Sequence, residues 1–292
     1  MSDTSLAKII QYGTSAARIA FTPDPAAGSQ VLYLWYETDN PPDTFAWDGS
    51  AWVQIGGGGG GGSITSGTYA SLPGSPSTGD CYLFTDSVYT IAQYNGATWD
   101  YFLDGKIAVP PGPKSGWTNL NPGSDLTVTD GAGTIDLSIA QNGSLNLRGI
   151  VKIATPATIT YVFRSQMVYN PTQTFGVEFY DGTKLIGLEL LTTTGTQTLR
   201  VQRWTNTTSA STTVFTQALL GFPATWGGLI YMKLTNGGGN LAFLWSLDGI
   251  TFHQAYTEAV GTWLTPTGYG VAGVNLSAGD PLTVSLQSVV TT

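Results

Sequence analysis

Short runs of alternating apolar and polar residues fill most of the chain, and turn residues separate them. Two such runs, TFAWDGSAWVQI at Thr44–Ile55 and IAQYNGATWDYF at Ile91–Phe102, share one form: aromatic, Asp or Asn, Gly, two variable residues, Trp. Alternation with a period of two is typical of half-buried β-strands, and Asp-Gly or Asn-Gly between two runs indicates a hairpin with a type I′ turn. The pattern therefore predicts the same β-hairpin twice.

The two hairpins belong to an internal repeat with an offset of 47 residues, the difference between Trp52 and Trp99. A further apolar run precedes each hairpin, at Val31–Tyr36 and at Cys81–Phe84, so each copy reads as a three-stranded meander. A unit of three short strands is marginally stable alone. We therefore expect sister chains to complete each core, with these aromatic residues at the contacts: Trp47, Trp52, Tyr94 and Trp99.

Two linkers are predicted. The glycine run Gly56–Gly62 is typical of a flexible coil. Alternatively, extended glycine strands of identical chains pack closely about a three-fold axis, as glycine does in collagen, which would make Gly56 and Gly62 assembly contacts. The proline-rich stretch Ile107–Ser115 predicts an extended spacer. These features divide the chain into an N-terminal β module at 1–55, a glycine linker at 56–63, a second module at 64–106, a spacer at 107–115 and a large domain at 116–292.

The large domain consists of regularly spaced short strands. Asp125–Thr129 and Thr134–Ile139 form a hairpin, and about eight further strand-like runs follow with Gly and Pro turns between them. This arrangement predicts a β-sandwich or jelly roll. The fold class is therefore all-β, with two small meander modules in a stalk followed by a sandwich, and Ser5–Ile10 is the one candidate for a short helix.

Composition and charge exclude several classes of function. The chain has 292 residues, of which 41% are hydrophobic and only 10% charged, so it is folded rather than disordered. The net charge of −8 lies entirely in residues 1–105, and no basic cluster suits nucleic acid or an anionic membrane surface. No apolar stretch approaches the ~18 residues of a membrane span. The single cysteine, Cys81, can form no intrachain disulfide or cysteine zinc site and is expected to be a buried strand thiol.

Two resemblances follow from these residues. The segment Gly228–Ala255, with its Ser-x-Asp-Gly-x-x-aromatic turn, resembles the concanavalin A-like (laminin-G or lectin-type) sandwich, and so does FGVEFYDGTKLIGLELL. The front half, with Tyr-x-Thr-Asp followed by Trp-Asp-Gly-x-x-Trp, is similar to the Trp-rich modules of tailed-bacteriophage fibre and capsid-appendage proteins. Together these resemblances imply a virion component that displays a lectin-like domain.

No catalytic residue, metal ligand or cofactor site is predicted. Sandwich hydrolases use paired carboxylates, but Glu178 is expected to lie opposite Gly187, so that Glu189 is not its cross-strand partner. His253 is the one histidine and has no Gly-x-Ser-x-Gly motif to serve. Calcium at the acidic turns Asp39–Asp43 or Asp86 remains an alternative.

Aromatic residues are the remaining candidates for binding. Alternation places Trp245 and Phe243 on the same, inward face of a strand, so both are expected in the core. Trp204, at a strand end before the polar loop TNTTSASTT, and Trp226 and Trp263, in Gly- and Thr-rich loops, are expected to line a glycan surface, because loops on a rigid scaffold concentrate binding residues.

The expected function is that of a non-enzymatic phage virion protein, a head or tail fibre or a capsid decoration on the particle exterior. Its N-terminal region would dock on capsid, portal or tail proteins as a homo-oligomer, a trimer in this interpretation. The sandwich would adhere to host-surface glycan. Two alternatives are a purely structural capsid cement protein and a depolymerase of surface polysaccharide.

Overall fold

The computed structural model contains two compact units, Met1–Ala108 and Val109–Thr292. The residues that the structure describes are 7–13, 15–21, 31–37, 44–47, 52–56, 64–103, 106–141, 143–155, 157–166, 172–193, 196–219, 229–276 and 280–292. Asp39–Asp43, Gly62 and Trp226 lie outside these ranges.

The first unit contains two sheets of similar topology. In one sheet the strand order is β1-β2-β3-β4, and β1 runs parallel to β2. Its elements are β1 (Ala7–Gly13), helix α1 (Ser15–Ala20), β2 (Val31–Glu37), β3 (Thr44–Trp47) and β4 (Trp52–Gly56). The short helix predicted within Ser5–Ile10 is wrong, because the residues from Ala7 form β1 and the helix follows at Ser15.

The second sheet repeats this plan with one strand more. Its order is β5-β6-β7-β8-β9, again with a parallel first pair. The strands are β5 (Ile64–Gly67), β6 (Cys81–Phe84), β7 (Ile91–Tyr94), β8 (Trp99–Leu103) and β9 (Lys106–Ala108). The repeated meander therefore exists, and each copy has a leading parallel strand that sequence analysis missed. Two residues assigned to the proline-rich spacer, Ile107 and Ala108, form the end of β9.

The repeated hairpin places its two aromatic residues opposite each other. Trp47 pairs with Trp52 in one copy and Tyr94 with Trp99 in the other. In the second copy the turn has four residues, and the Asn95 side chain accepts hydrogen bonds from the Ala97 and Thr98 amides, both at 2.9 Å. Only Gly96 has a positive φ, of 99°, so the expected type I′ turn is wrong: the Asn95 carboxamide, not a second left-handed residue, closes this turn.

The second unit is a sandwich of two seven-stranded sheets, which confirms the predicted all-β class and sandwich architecture. Sheet I has the order β10-β13-β22-β15-β16-β17-β18, and sheet II has the order β11-β12-β23-β14-β19-β20-β21. Their strands are β10 (Thr118–Leu120), β11 (Leu126–Asp130), β12 (Ile135–Ile139), β13 (Arg148–Lys152), β14 (Thr158–Gln166), β15 (Gln173–Tyr180), β16 (Leu185–Thr193), β17 (Thr196–Asn206), β18 (Ser209–Ala218), β19 (Leu229–Gly237), β20 (Asn240–Ser246), β21 (His253–Ala259), β22 (Gly268–Asn275) and β23 (Leu282–Thr291).

The main core lies between the two sheets and is built by alternation. In β15 the side chains of Phe175, Val177 and Phe179 enter it, while Glu178 lies on the other face. Phe163 and Phe243 approach from sheet II, and both are fully buried. Phe179 and Phe243 meet edge to face, with ring centroids 5.6 Å apart. Burial of this apolar surface is the dominant stabilising contribution of such a sandwich.

One predicted loop proves to be a strand. Part of the polar run after Trp204 forms β18, an exposed edge strand that pairs with β17 through several irregularities of register. Ser and Thr in this run suit an exposed edge, because threonine favours extended backbone and its hydroxyl faces water. The polar composition indicated exposure correctly, but not the conformation.

Candidate functional site

The outer face of sheet I is itself buried and forms a second apolar cluster. Its largest member is Trp204, which is fully buried and packs with Leu147, Leu185 and Val274. The expectation that Trp204 lines a glycan surface is therefore not met, because no face of its ring is open to a ligand. Strand β17 continues two residues past Trp204 to Asn206, which removes the loop position that the sequence indicated.

A charged network surrounds Glu189 on this buried face. Arg200 donates to Glu189 Oε2 through Nε at 2.9 Å and through Nη2 at 2.7 Å. Thr174 Oγ1 donates to the same oxygen at 3.0 Å, and the Trp204 indole N–H donates to Oε1 at 2.7 Å. Four donated bonds satisfy this carboxylate, which a buried charge requires.

Glu178 lies beside this network, but in the described part of the chain its carboxyl group lacks the donors that Glu189 has. It is fully buried, and neither carboxylate oxygen has a hydrogen-bond partner among the described residues. Its register partner is Gly187, as predicted, and a Cβ added there would meet Glu178 Oε2 at 2.0 Å, so only glycine leaves room for the carboxyl group. Burial and then the charge of Glu189 raise the pKa of Glu178 well above its usual range, which favours the neutral acid.

These two carboxyl groups do not form an accessible acid–base pair. Glu178 and Glu189 are 0% and 1% exposed, whereas a hydrolase must place both carboxyl groups against the bond that it cleaves. The arrangement supports the fold of sheet I rather than chemistry on a polymer.

Trp263, the second predicted glycan residue, is half-buried beside the start of β16 in sheet I. Its indole N–H donates to the Leu185 carbonyl at 2.9 Å. Two cations lie over its ring, Lys184 Nζ at 4.9 Å and the Arg203 guanidinium at 5.4 Å from the centroid. Arg203 also forms an ion pair with Glu258. These cation–π contacts hold the ring in place and occupy part of the surface on which a sugar would stack.

A groove with both polar and apolar lining residues lies on the outer face of sheet II. It has a volume of about 310 Å³. Two rows of outward residues cross the strands β11, β12, β23 and β14, because residues in register lie side by side. One row is Thr129, Asp136, Ser285 and Arg164. The other contains Thr127, Ser138 and Thr283.

Two charged side chains lie in the first row with Ser285 between them. Ser285 Oγ donates to Asp136 Oδ1 at 2.6 Å, and Thr134 Oγ1 donates to the same atom at 3.3 Å. Asp136 Oδ2 has no hydrogen bond among the described residues. Arg164 lies one strand beyond Ser285 and is exposed. At the ordinary strand spacing, about 10 Å separates the backbones of Asp136 and Arg164.

Sequence analysis did not identify this groove. The predicted binding residues are tryptophans at loops and a strand end, whereas the groove is on a sheet face and has no aromatic residue in its lining. A signal was available in the outward Thr, Ser and Asp positions of three runs, LTVTD, IDLSI and LTVSL. Which strands lie next to one another, however, depends on long-range pairing that a single sequence does not reveal.

The predicted assembly residues lie in the first unit. Trp52 is half-buried, its indole N–H donates to the Phe21 carbonyl at 3.1 Å, and its ring lies 6.1 Å from that of Trp35. Tyr94 and Trp99 are half-buried with ring centroids 5.6 Å apart. Trp47 and Gly56 lie in β3 and β4, and the side chain of Trp47 is not described.

Each module covers its aromatic face with the segment that follows its first strand. Phe21, directly after helix α1, lies 5.7 Å from the Trp35 ring and 6.2 Å from the Trp52 ring. In the second module Tyr69, in a 3-10 turn, contacts the rings of Phe84, Tyr89 and Tyr101 at 5.7–6.3 Å. Trp35 is 5% exposed, so much of the cover that we expected from sister chains comes from the same chain.

The described residues show neither a metal cluster nor a membrane-spanning helix. No group of three His, Cys, Asp or Glu side chains in these ranges could hold a metal ion. Asp86, one of the two calcium candidates, accepts a hydrogen bond from the Tyr69 amide at 2.7 Å. No described helix has the length and apolar character needed to cross a bilayer. Cys81 is buried, as predicted.

No protein-family model matches this chain, and no curated protein sequence does. Solved structures are similar at low identity. A functionally unknown protein from Saccharomyces cerevisiae is 16% identical with a TM-score of 0.45, over 62% of this chain and 99% of its own. The CBM2 module of the evolved Dit of Lactobacillus casei BL23 phage J-1 is 11% identical with a TM-score of 0.45, over 60% and 88%. The Bacillus licheniformis β-glucanase is 14% identical with a TM-score of 0.42, over 63% and 96%. Likeness at this level has no bearing on function.

Proposed function

We propose that this protein is a non-enzymatic adhesin whose sandwich binds saccharide through the groove of sheet II. The observation that carries the proposal is the row Asp136, Ser285 and Arg164 in an open groove. Saccharides present many hydroxyl groups together with apolar C–H faces. A groove that combines a hydroxyl donor, a free carboxylate oxygen, a guanidinium and threonine methyl groups can satisfy both.

The buried carboxyl groups favour binding over cleavage. Glu178 and Glu189 are closed to a polymer, and Glu189 is already satisfied by Arg200, Trp204 and Thr174. Hydrolysis of a surface polysaccharide would need a second, accessible pair of carboxyl groups. In the groove, Asp136 is the one carboxylate among the lining residues.

We further propose that the protein is an exterior component of a phage virion, a head or tail fibre or a capsid decoration. The Trp-rich modules of the first unit support this proposal through their similarity to phage appendage modules. The N-terminal region would dock on other virion proteins, and three chains would form the appendage. Display of many weak sites raises adhesion through effective concentration.

Particles that lack this protein test the proposal. If the protein is an adhesin, particles without it should adsorb less to the host, and the stability of their capsid towards heat should not change. Loss of capsid stability with normal adsorption would instead indicate a cement protein, and the adhesin proposal would then be wrong.

A further inference from the structure

The cations of the sandwich are almost all engaged within the chain. The unit Val109–Thr292 contains eight Lys and Arg residues, all within the described ranges. Arg148, Arg200 and Arg203 each pair with a carboxylate. Lys114 Nζ donates to the Val128 carbonyl at 2.9 Å. The other lysines lie over aromatic rings: Lys152 over Trp117, Lys184 over Trp263 and Lys233 over Phe252.

Arg164 is the exception among these eight. It has no hydrogen bond, ion pair or ring contact with any described residue, and it is exposed on the floor of the groove. The nearest carboxylate in its row, Asp136, is two strands away and already accepts from Ser285 and Thr134. An arginine guanidinium presents a fork of donors that fits a carboxylate or a phosphate with two parallel bonds.

We propose that the groove selects an anionic saccharide, with Arg164 as the residue that binds its acidic group. This inference rests on the proposed saccharide-binding function and names the ligand class. A carboxylate or phosphate on one sugar would meet the Arg164 fork. Hydroxyl groups of the same or the next sugar would meet Asp136 Oδ2 and the hydroxyls of Ser285 and Thr129.

The charged residues of the groove are compatible with an anionic saccharide. The opposite charges of Asp136 and Arg164 leave the groove with no net charge in the free protein. The two groups lie far enough apart that salt in solution partly screens their attraction. A ligand that carries both an anion and hydroxyl groups can use the two ends of the row together. A neutral saccharide would leave the guanidinium with water alone.

The test is direct binding of the full chain to oligosaccharides in matched pairs. Each uronate-bearing or phosphate-bearing oligosaccharide is immobilised beside a neutral counterpart of the same sequence, such as an oligogalacturonate beside its methyl ester. The best pair is then measured by isothermal titration calorimetry. We expect the acidic member to bind about tenfold more tightly or better, since charge-assisted bidentate bonds are the strong ones.

Two variants and a control assign the preference to Arg164. Arg164→Gln should abolish the preference for the acidic member, and Arg164→Lys should retain part of it, because the charge remains but the fork is lost. Lys233→Gln removes a cation elsewhere on sheet II and should leave the preference unchanged. Both Arg164 variants should unfold at the temperature of the wild type, because Arg164 is exposed and its side chain contacts no described residue.

The outcomes separate this inference from the proposed function. Preference for uronate alone or for phosphate alone identifies the acidic group. Equal binding of acidic and neutral members, or an undiminished preference in Arg164→Gln, overturns the inference while the saccharide-binding function stands. If no saccharide binds and host adsorption is also independent of the protein, both are wrong.

Discussion

The indole N–H of Trp204 donates to Glu189 Oε1 at 2.7 Å in the buried outer layer of sheet I. Both side chains are at most 1% exposed. This bond joins β17 to β16 through side chains as well as through the backbone ladder. It also explains why a tryptophan that resembles a surface residue in the sequence belongs to the core.

Replacement of Trp204 by phenylalanine removes the donor and keeps an aromatic ring. We expect the sandwich to lose about 2–3 kcal/mol of unfolding free energy, since a buried bond to a charged group contributes roughly 1.5–3 kcal/mol. Urea denaturation measures the loss. Trp263→Phe is the matched control, because its bond goes to a neutral carbonyl at a half-buried site, and it should cost less. Equal losses would show that the Glu189 contact has no special weight.

Because Glu178 is buried, we expect the stability of the sandwich to depend on pH. Its pKa is raised in the folded state by burial and then by Glu189, so the unfolded chain ionises first. The contribution of Glu178 to the free energy of unfolding is complete below its unfolded pKa of about 4.3. It is lost as the pH rises through the higher folded pKa, and the loss is about 1.4 kcal/mol for each unit between the two pKa values.

Glu178→Gln removes this titration, and urea midpoints of both proteins between pH 4 and pH 8 test it. The variant should gain stability relative to the wild type as pH rises. Glu189→Gln is the comparison: it should destabilise the sandwich, because the half-buried Arg200 loses its counter-ion. Parallel curves for wild type and Glu178→Gln would contradict the assignment of a neutral, buried Glu178.

The cover that Phe21 provides for the first module can be tested locally. Phe21→Ala keeps the backbone carbonyl that accepts from Trp52 and removes only the ring that packs on Trp35 and Trp52. We expect the free energy that protects the amides of this module from exchange to fall by about 1–2 kcal/mol. This is less than the loss expected for a fully buried phenylalanine. Hydrogen exchange of peptides that span β2 to β4 should accelerate.

Tyr69→Ala is the matched variant in the second module. It should accelerate exchange in β6 to β8 and leave β2 to β4 unchanged. If Phe21→Ala changes nothing in the first module, then Phe21 does not provide its cover.

The proposed trimer is tested by the mass of the isolated full chain in solution. Three chains of 30.7 kDa give about 92 kDa. A monodisperse, folded monomer at micromolar concentration would contradict the trimer. It would also show that the intrachain rings of Phe21 and Tyr69 are enough to complete the small modules.

The sequence predicted local features better than tertiary placement. The hairpins around Trp47–Trp52 and Tyr94–Trp99 followed from alternation and a turn motif, which act over a few residues. The leading strands β1 and β5 were missed because their partners lie beyond a crossover. Trp204 was misplaced for a related reason: a sheet that is buried on both faces gives no contrast between inner and outer positions.

The most direct test of the account is incubation of the purified chain with the surface polysaccharide of the host, followed by measurement of both retention and new reducing ends. We predict that the protein is retained, that Arg164→Gln is retained less, and that no reducing ends appear. Reducing ends that accumulate with time would show an enzyme, and failure of the wild type to be retained would contradict the adhesin.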